Sequence, residues 1–122
     1  MAQLSYLDEY AAFMDNYKSG EVSGEEVGEK IARFAQYFGM FNLEYSMAEY
    51  ERAKVAASLE SKIDEVSGKQ ISSTKAQVLT DATPEAAASR KARVHIQNIE
   101  QMINGLKALQ KGVLNEYSHM GT

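Results

Sequence analysis

The chain has 122 residues, 44% of them apolar, with seven Tyr, four Phe, six Met, a single Pro and no Cys. This length bounds a single helical domain over 1–122, the apolar content suffices for a core, and the missing thiols exclude disulfides, cysteine nucleophiles and thiolate-bound zinc. The formal net charge of −4 is uneven: residues 1–68 carry six Lys/Arg against thirteen Asp/Glu, and residues 69–122 carry seven against four, which directs attention to an anionic partner for the second half.

The amino-terminal stretch carries acids early and lacks a basic leader, and no apolar run approaches the roughly 20 residues that a membrane span requires. The expectation is no membrane association and a cytoplasmic address, in the host cytoplasm if the chain is phage-encoded. A short helix is predicted over 4–17, with Leu4, Leu7, Tyr10, Ala11 and Met14 at three- and four-residue spacing on one face. After KSGEVSG, Ser23 followed by Glu26 matches a capping box, so a second helix should begin at Gly24.

That second helix is predicted over 24–66. Ile31, Phe34, Phe38, Phe41, Tyr45, Ala48, Val55, Leu59 and Val66 form a seam that asks for a partner helix, and the register also contains the cations Arg52 and Lys62. Gly68 is the expected helix stop. The connection over 67–83 holds enough apolar residues for a short helical turn starting at Ser72 or Ser73. Thr83, Pro84 and Glu85 then signal the start of a last helix over 84–118, as N-cap, first helical position and favourable first-turn acid. Its register runs Ala92, Ile96, Ile99, Ile103, Leu106, Val113 and Tyr117, widened by Met102, Leu109 and Leu114 and interrupted only by Gln110. Strand patterns are absent. The fold class is therefore all-α: an antiparallel hairpin of two long helices with a short amino-terminal helix.

Catalytic and metal-binding chemistry finds no support in this pattern. His95 and His119 lack neighbours that would complete a metal site, the acids look like helix surface with Glu-to-Lys spacing of four, and no glycine-rich phosphate loop is present. No enzyme activity, cofactor or metal is expected. What remains is cationic. Lys54 and Lys62 near the end of the second helix, Lys69 and Lys75 in the connection, and Arg90, Lys91 and Arg93 in the last helix would form a basic rim able to neutralise phosphates. The main alternative is that this rim pairs with the chain's own acids.

The stretches KVAASLESKIDEVSGKQ, SSTKAQVLTDA and MINGLKALQKGVLNEY together resemble the UvsY recombination mediator family of T-even bacteriophages. In that family a long helix ends in a Lys/Arg-hydrophobic-Asp segment and Ser-Gly, a Ser-x-x-Lys-x-Val-Leu stretch follows, and a final helix carries an internal Lys. Here these read as Lys62-Ile63-Asp64 with Ser67-Gly68, then Ser72 through Leu79, then Lys107, over about residues 52–117. The resemblance implies a small, self-associating helical protein that binds single-stranded DNA and helps load a RecA-like recombinase onto strands covered by single-strand-binding protein. It places Lys62 at the basic position used for the DNA backbone. Two places earlier the family has a second cation and this chain has Glu60, so Lys54, Lys69 or Lys75 would have to compensate.

Self-association is expected on physical grounds as well. Phe34, Phe38, Phe41, Tyr45, Ile96, Ile99, Ile103 and Leu106 make an apolar stripe too wide for a lone hairpin to leave in water, and copies packed side by side would cover it. A closed ring would join the basic rims into a continuous band. The expected function is thus single-stranded DNA binding by a homo-oligomer through multivalent phosphate contacts, with little base stacking. The rival is a helical structural or assembly protein, such as a virion component or chaperone, with no nucleic-acid role.

Overall fold

The computed structural model describes the backbone of residues 5–20 and 22–120, and the side chains of residues 6–20 and 22–113. Four helices follow in order: α1 (Ser5–Lys18), α2 (Gly24–Glu60), α3 (Ser73–Asp81) and α4 (Pro84–Met120). Among the described residues the only β pairing is an isolated antiparallel bridge, Ile63 with Gln70. Leu4 lies outside the described residues, as do the side chains of Leu114, Tyr117 and His119. The chain divides into two compact units: unit 1, Met1–Gly39 with Gln97–Thr122, and unit 2, Met40–Ile96. The long helices α2 and α4 contribute to both. They pair antiparallel in unit 1, where Gly24 faces Val113 and Gly28 faces Gln110. They do so again in unit 2, where Phe41 meets His95 and Glu49 meets Ser89.

Unit 1 is built on aromatic packing. Tyr6, Phe13, Val27, Phe34, Ile99 and Leu106 are buried, each large side chain contributing about 1.5–3 kcal/mol by leaving water. The buried residues of α1 are Tyr6 and Phe13, neither of them on the expected stripe, of which Leu7, Tyr10 and Met14 are half-buried and Ala11 is exposed. The aromatic face wins because its rings meet other rings, Tyr6 against Tyr37 at 5.9 Å and Tyr10 against Phe34 at 5.9 Å. The same rotation brings Glu9 to α2. There Lys30 Nζ donates to Glu9 Oε1 at 2.9 Å, Arg33 Nε donates to the same oxygen, and the Tyr37 hydroxyl donates to Oε2 at 2.7 Å. Gln110, the polar break in the α4 stripe, lies over Gly28, where a Cβ would come within 3.2 Å of its Nε2. Gly105 gives similar room to the Tyr10 hydroxyl, 3.0 Å from where its Cβ would be.

In unit 2 the buried positions are mostly small, with Phe41 the one large ring among them. Phe41, Ala76, Thr80, Ala86, Ser89 and Ala92 are buried. His95 stacks on Phe41 with ring centroids 4.7 Å apart, a packing role. Helix α2 ends at Glu60, six residues before the expected limit at Val66. The reason is Asp64, whose carboxylate accepts the Val66 amide at 2.9 Å and so offers the backbone a turn in place of a helix. The chain folds back there: the Asp64 amide donates to the Lys69 carbonyl at 2.6 Å and the Ile71 amide to the Lys62 carbonyl at 3.1 Å. Gly68 takes φ +69° within this turn and is not a helix cap. Val66 is consequently 98% exposed and belongs to no seam.

The other local signals act as expected. The Ser23 hydroxyl accepts the Glu26 amide at 3.2 Å. Ser72 caps α3 by accepting the Lys75 amide at 3.1 Å, and Thr83 caps α4 by accepting the Ala86 amide at 3.3 Å. Helix α3 packs through Ala76 and Thr80, however, while Val78 and Leu79 face outward.

The apolar stripe expected to require a second copy is largely the chain's own core. Phe34, Phe41, Ile99 and Leu106 are buried, and Phe38, Tyr45, Ile96 and Ile103 are half-buried. In unit 1 the cover comes from the rings of α1, which a hairpin of α2 and α4 alone would lack. Apolar surface is instead exposed elsewhere. Met40, Leu43, Met47, Tyr50, Ile63, Val66, Val78, Leu79 and Val94 are the exposed large apolar side chains among the described residues, and all of them belong to unit 2.

Candidate nucleic-acid interface

All seven cations of the expected rim fall in unit 2: Lys54 on α2, Lys62 and Lys69 in the turn, Lys75 on α3, and Arg90, Lys91 and Arg93 on α4. Each is exposed. Lys62 and Lys69 sit on the two sides of the turn closed by the Ile63–Gln70 bridge. Lys75 Nζ lies 3.6 Å from Asp64 Oδ2, and Lys54 Nζ 3.4 Å from Glu51 Oε1. Among the described residues no ion pair engages Lys62, Lys69, Arg90, Lys91 or Arg93.

Charge counted by unit differs from charge counted along the chain. Unit 2 holds eight Lys/Arg and eight Asp/Glu, whereas unit 1 holds five and nine. The basic excess of the second half disappears because Lys107 and Lys111 belong to unit 1, while Glu44, Glu49 and Glu51 come into unit 2. Unit 2 is neutral in total, so any attraction for a polyanion comes from where its charges lie.

One concentration of charge is a groove of about 330 Å³ lined by Tyr45, Glu49, Arg52, Asp81, Ala86, Ser89, Arg90 and Arg93. Glu49 is its organising acid. Arg52 approaches it as a fork, Nε to Oε1 at 3.1 Å and Nη2 to Oε2 at 3.0 Å, and the buried Ser89 hydroxyl also donates to Oε1. The hydrogen bonds from Arg52 and Ser89 hold the Glu49 carboxyl below its usual range, against the opposing effect of burial, with the Arg93 charge adding to the same direction. Arg90 Nη1 donates to the Asp81 carbonyl at 3.1 Å, which leaves the rest of its guanidinium and that of Arg93 directed to solvent and groove.

Several of these residues carry no signal in the sequence. Arg52 registers there only as a cationic break in the seam, and Glu49 as helix surface. The contact that defines the groove, Ser89 to Glu49, joins residues 40 apart, and no local spacing signals it. Tyr50 is a further residue that the sequence did not single out. It is 65% exposed, with Lys54 Nζ 5.2 Å from its ring centre, so an aromatic face does accompany the cations. Among the described residues no cluster of three or more His, Asp or Glu could hold a metal ion, and no helix is long and apolar enough to cross a membrane.

Fold and site together define an all-α chain in which the exposed large apolar side chains of the described residues, and the seven cations of the expected rim, all belong to unit 2. Comparison with known protein families finds no match, and comparison with curated proteins and with solved structures finds none either.

Proposed function

We propose that the chain binds single-stranded DNA through unit 2 and serves as a recombination mediator, helping to load a RecA-like recombinase onto strands covered by single-strand-binding protein. The mediator role rests on the UvsY resemblance of residues 52–117. The DNA-binding part is carried by one observation: Lys62, Lys69, Arg90, Lys91 and Arg93 are exposed in a single unit without a carboxylate partner in ion-pair range among the described residues. Each can neutralise a phosphate and release its counterions. Tyr50 beside Lys54 offers a face on which a base can stack, an addition to the phosphate contacts.

In this reading several copies act together, because one neutral unit grips a strand weakly and linked contacts multiply. Met40, Leu43 and Met47 recur every three or four residues along α2, each about 60% exposed, and a second copy is the occupant that would cover them, leaving Tyr50 to the strand. Fluorescence anisotropy with a labelled single-stranded oligonucleotide tests the binding. Affinity should fall steeply between about 50 and 200 mM salt, and absence of binding at the lower salt with micromolar protein refutes the reading.

The same apolar stripe favours the rival reading, a helical assembly protein whose partner is another protein. Under that reading self-association persists, while the anisotropy titration stays flat at both salt concentrations.

A further inference from the structure

The groove around Glu49 carries an inference that rests on the DNA-binding reading and makes it specific. Three guanidinium groups and two carboxylates line it, but their commitments differ. Glu49 uses both oxygens on Arg52 and Ser89, so those two charges are closed on each other. Arg90 and Arg93, one turn apart on α4, are not in an ion pair, and Arg90 gives one donor to a backbone carbonyl. A guanidinium presents five N–H donors in a fixed fork, so most of the donor capacity of this pair is open. Their spacing of three residues puts both on one side of the helix, above a groove with ample volume for a phosphate group.

We propose that this groove seats one phosphodiester of the bound strand. Arg90 and Arg93 grip its non-bridging oxygens together, and Glu49 is a built-in counter-charge that limits the strength of the grip. A tetrahedral anion with two free oxygens can accept from two forks at once, whereas the side-chain carboxylate of an acidic peptide, being planar, suits one fork best. Glu49 sets the affinity because its charge already draws on the Arg93 field, so that strand and carboxylate compete for the same cation. Arg52, fixed by Glu49, lends charge from behind without touching the strand.

The test compares the full-length protein with Arg90→Ala/Arg93→Ala and with Glu49→Gln, using a labelled oligothymidylate titrated across salt. Gln retains an acceptor for Arg52 and Ser89, and circular dichroism checks that helix content is unchanged. The double variant should bind about tenfold more weakly at low salt. Because both arginines serve one phosphate, the slope of log affinity against log salt should drop by about 0.7 and not by twice that. Glu49→Gln should bind about threefold to tenfold more tightly, the effect of removing one opposing charge near the strand. If the parent binds but both variants match it in affinity and slope, the groove is not the seat and DNA binding runs through the lysines alone. A slope change of about 1.4 overturns the shared phosphate. If the double variant weakens an acidic-peptide probe and not the oligonucleotide, the phosphodiester assignment is overturned. No binding by the parent at low salt overturns this proposal together with the DNA-binding reading.

Discussion

Unit 1 and unit 2 use the same two helices in opposite ways. In unit 1 the α2 and α4 faces carry Phe34, Ile99 and Leu106, and α1 adds Tyr6 and Phe13 to close them over. Its acid Glu9 is met by three donors. In unit 2 the facing positions are Ala86, Ser89 and Ala92, the acid between the helices is shared with an arginine at the rim of a groove, and every exposed large apolar side chain of the described residues is found there. Bulky residues that bury themselves supply stability. Small residues inside, with cations and methionines outside, leave a surface whose free energy depends on what covers it.

That contrast can be broken most sharply at Phe34. Phe34→Ala should destabilise by about 3–5 kcal/mol in a denaturant melt, since the ring is fully buried between Tyr10 and Tyr37. Glu9→Gln should cost about 1–2 kcal/mol, discounted from the usual value for charged hydrogen bonds because Lys30 and Arg33 still reach solvent. Burial works to raise the Glu9 pKa, but hydrogen bonds from Lys30, Tyr37 and Arg33 outweigh it and hold the carboxyl below its ordinary value. A carboxyl whose pKa is lowered by folding contributes stability above its unfolded pKa and loses it as pH falls through the folded value. Melting temperatures measured from pH 6 down to about 3 should therefore fall more steeply for the parent than for Glu9→Gln.

Smaller effects sharpen the comparison. Gly39 lies inside α2 with nothing within 4 Å of the point where a Cβ would sit, so Gly39→Ala should stabilise by about 0.5–1 kcal/mol. The smallest change expected is at Met47, 62% exposed: Met47→Ser should move the melt by less than about 0.5 kcal/mol, and under the proposed association through the α2 stripe it lowers the mass seen by light scattering.

Helix starts and the pairing of the two long helices were legible in the sequence, and which side chains meet across them was not. Ser23, Ser72 and Thr83-Pro84 marked helix starts because a cap depends only on the next three residues. The end of α2 was misread because Val66 continued an apolar register, while the side chain of Asp64 decided the backbone. The face of α1 was misread for a related reason: leucine counts as more apolar than tyrosine, yet tyrosine carries more area and finds ring partners on α2. The lysines and arginines could be named from sequence and charge, but the groove could not, because it requires Glu49 and Ser89 to meet across two helices.

The central claim is that unit 2 faces the strand and unit 1 does not. Anisotropy titrations at about 50 mM salt, comparing Lys62→Ala/Lys69→Ala in unit 2 with Lys107→Ala/Lys111→Ala in unit 1, test it most directly. All four lysines are exposed, and each variant removes the same number of charges. If unit 2 holds the strand, the first variant loses about tenfold or more in affinity for single-stranded DNA while the second stays within about twofold of the parent. Equal losses, or a larger loss in the second, would contradict it.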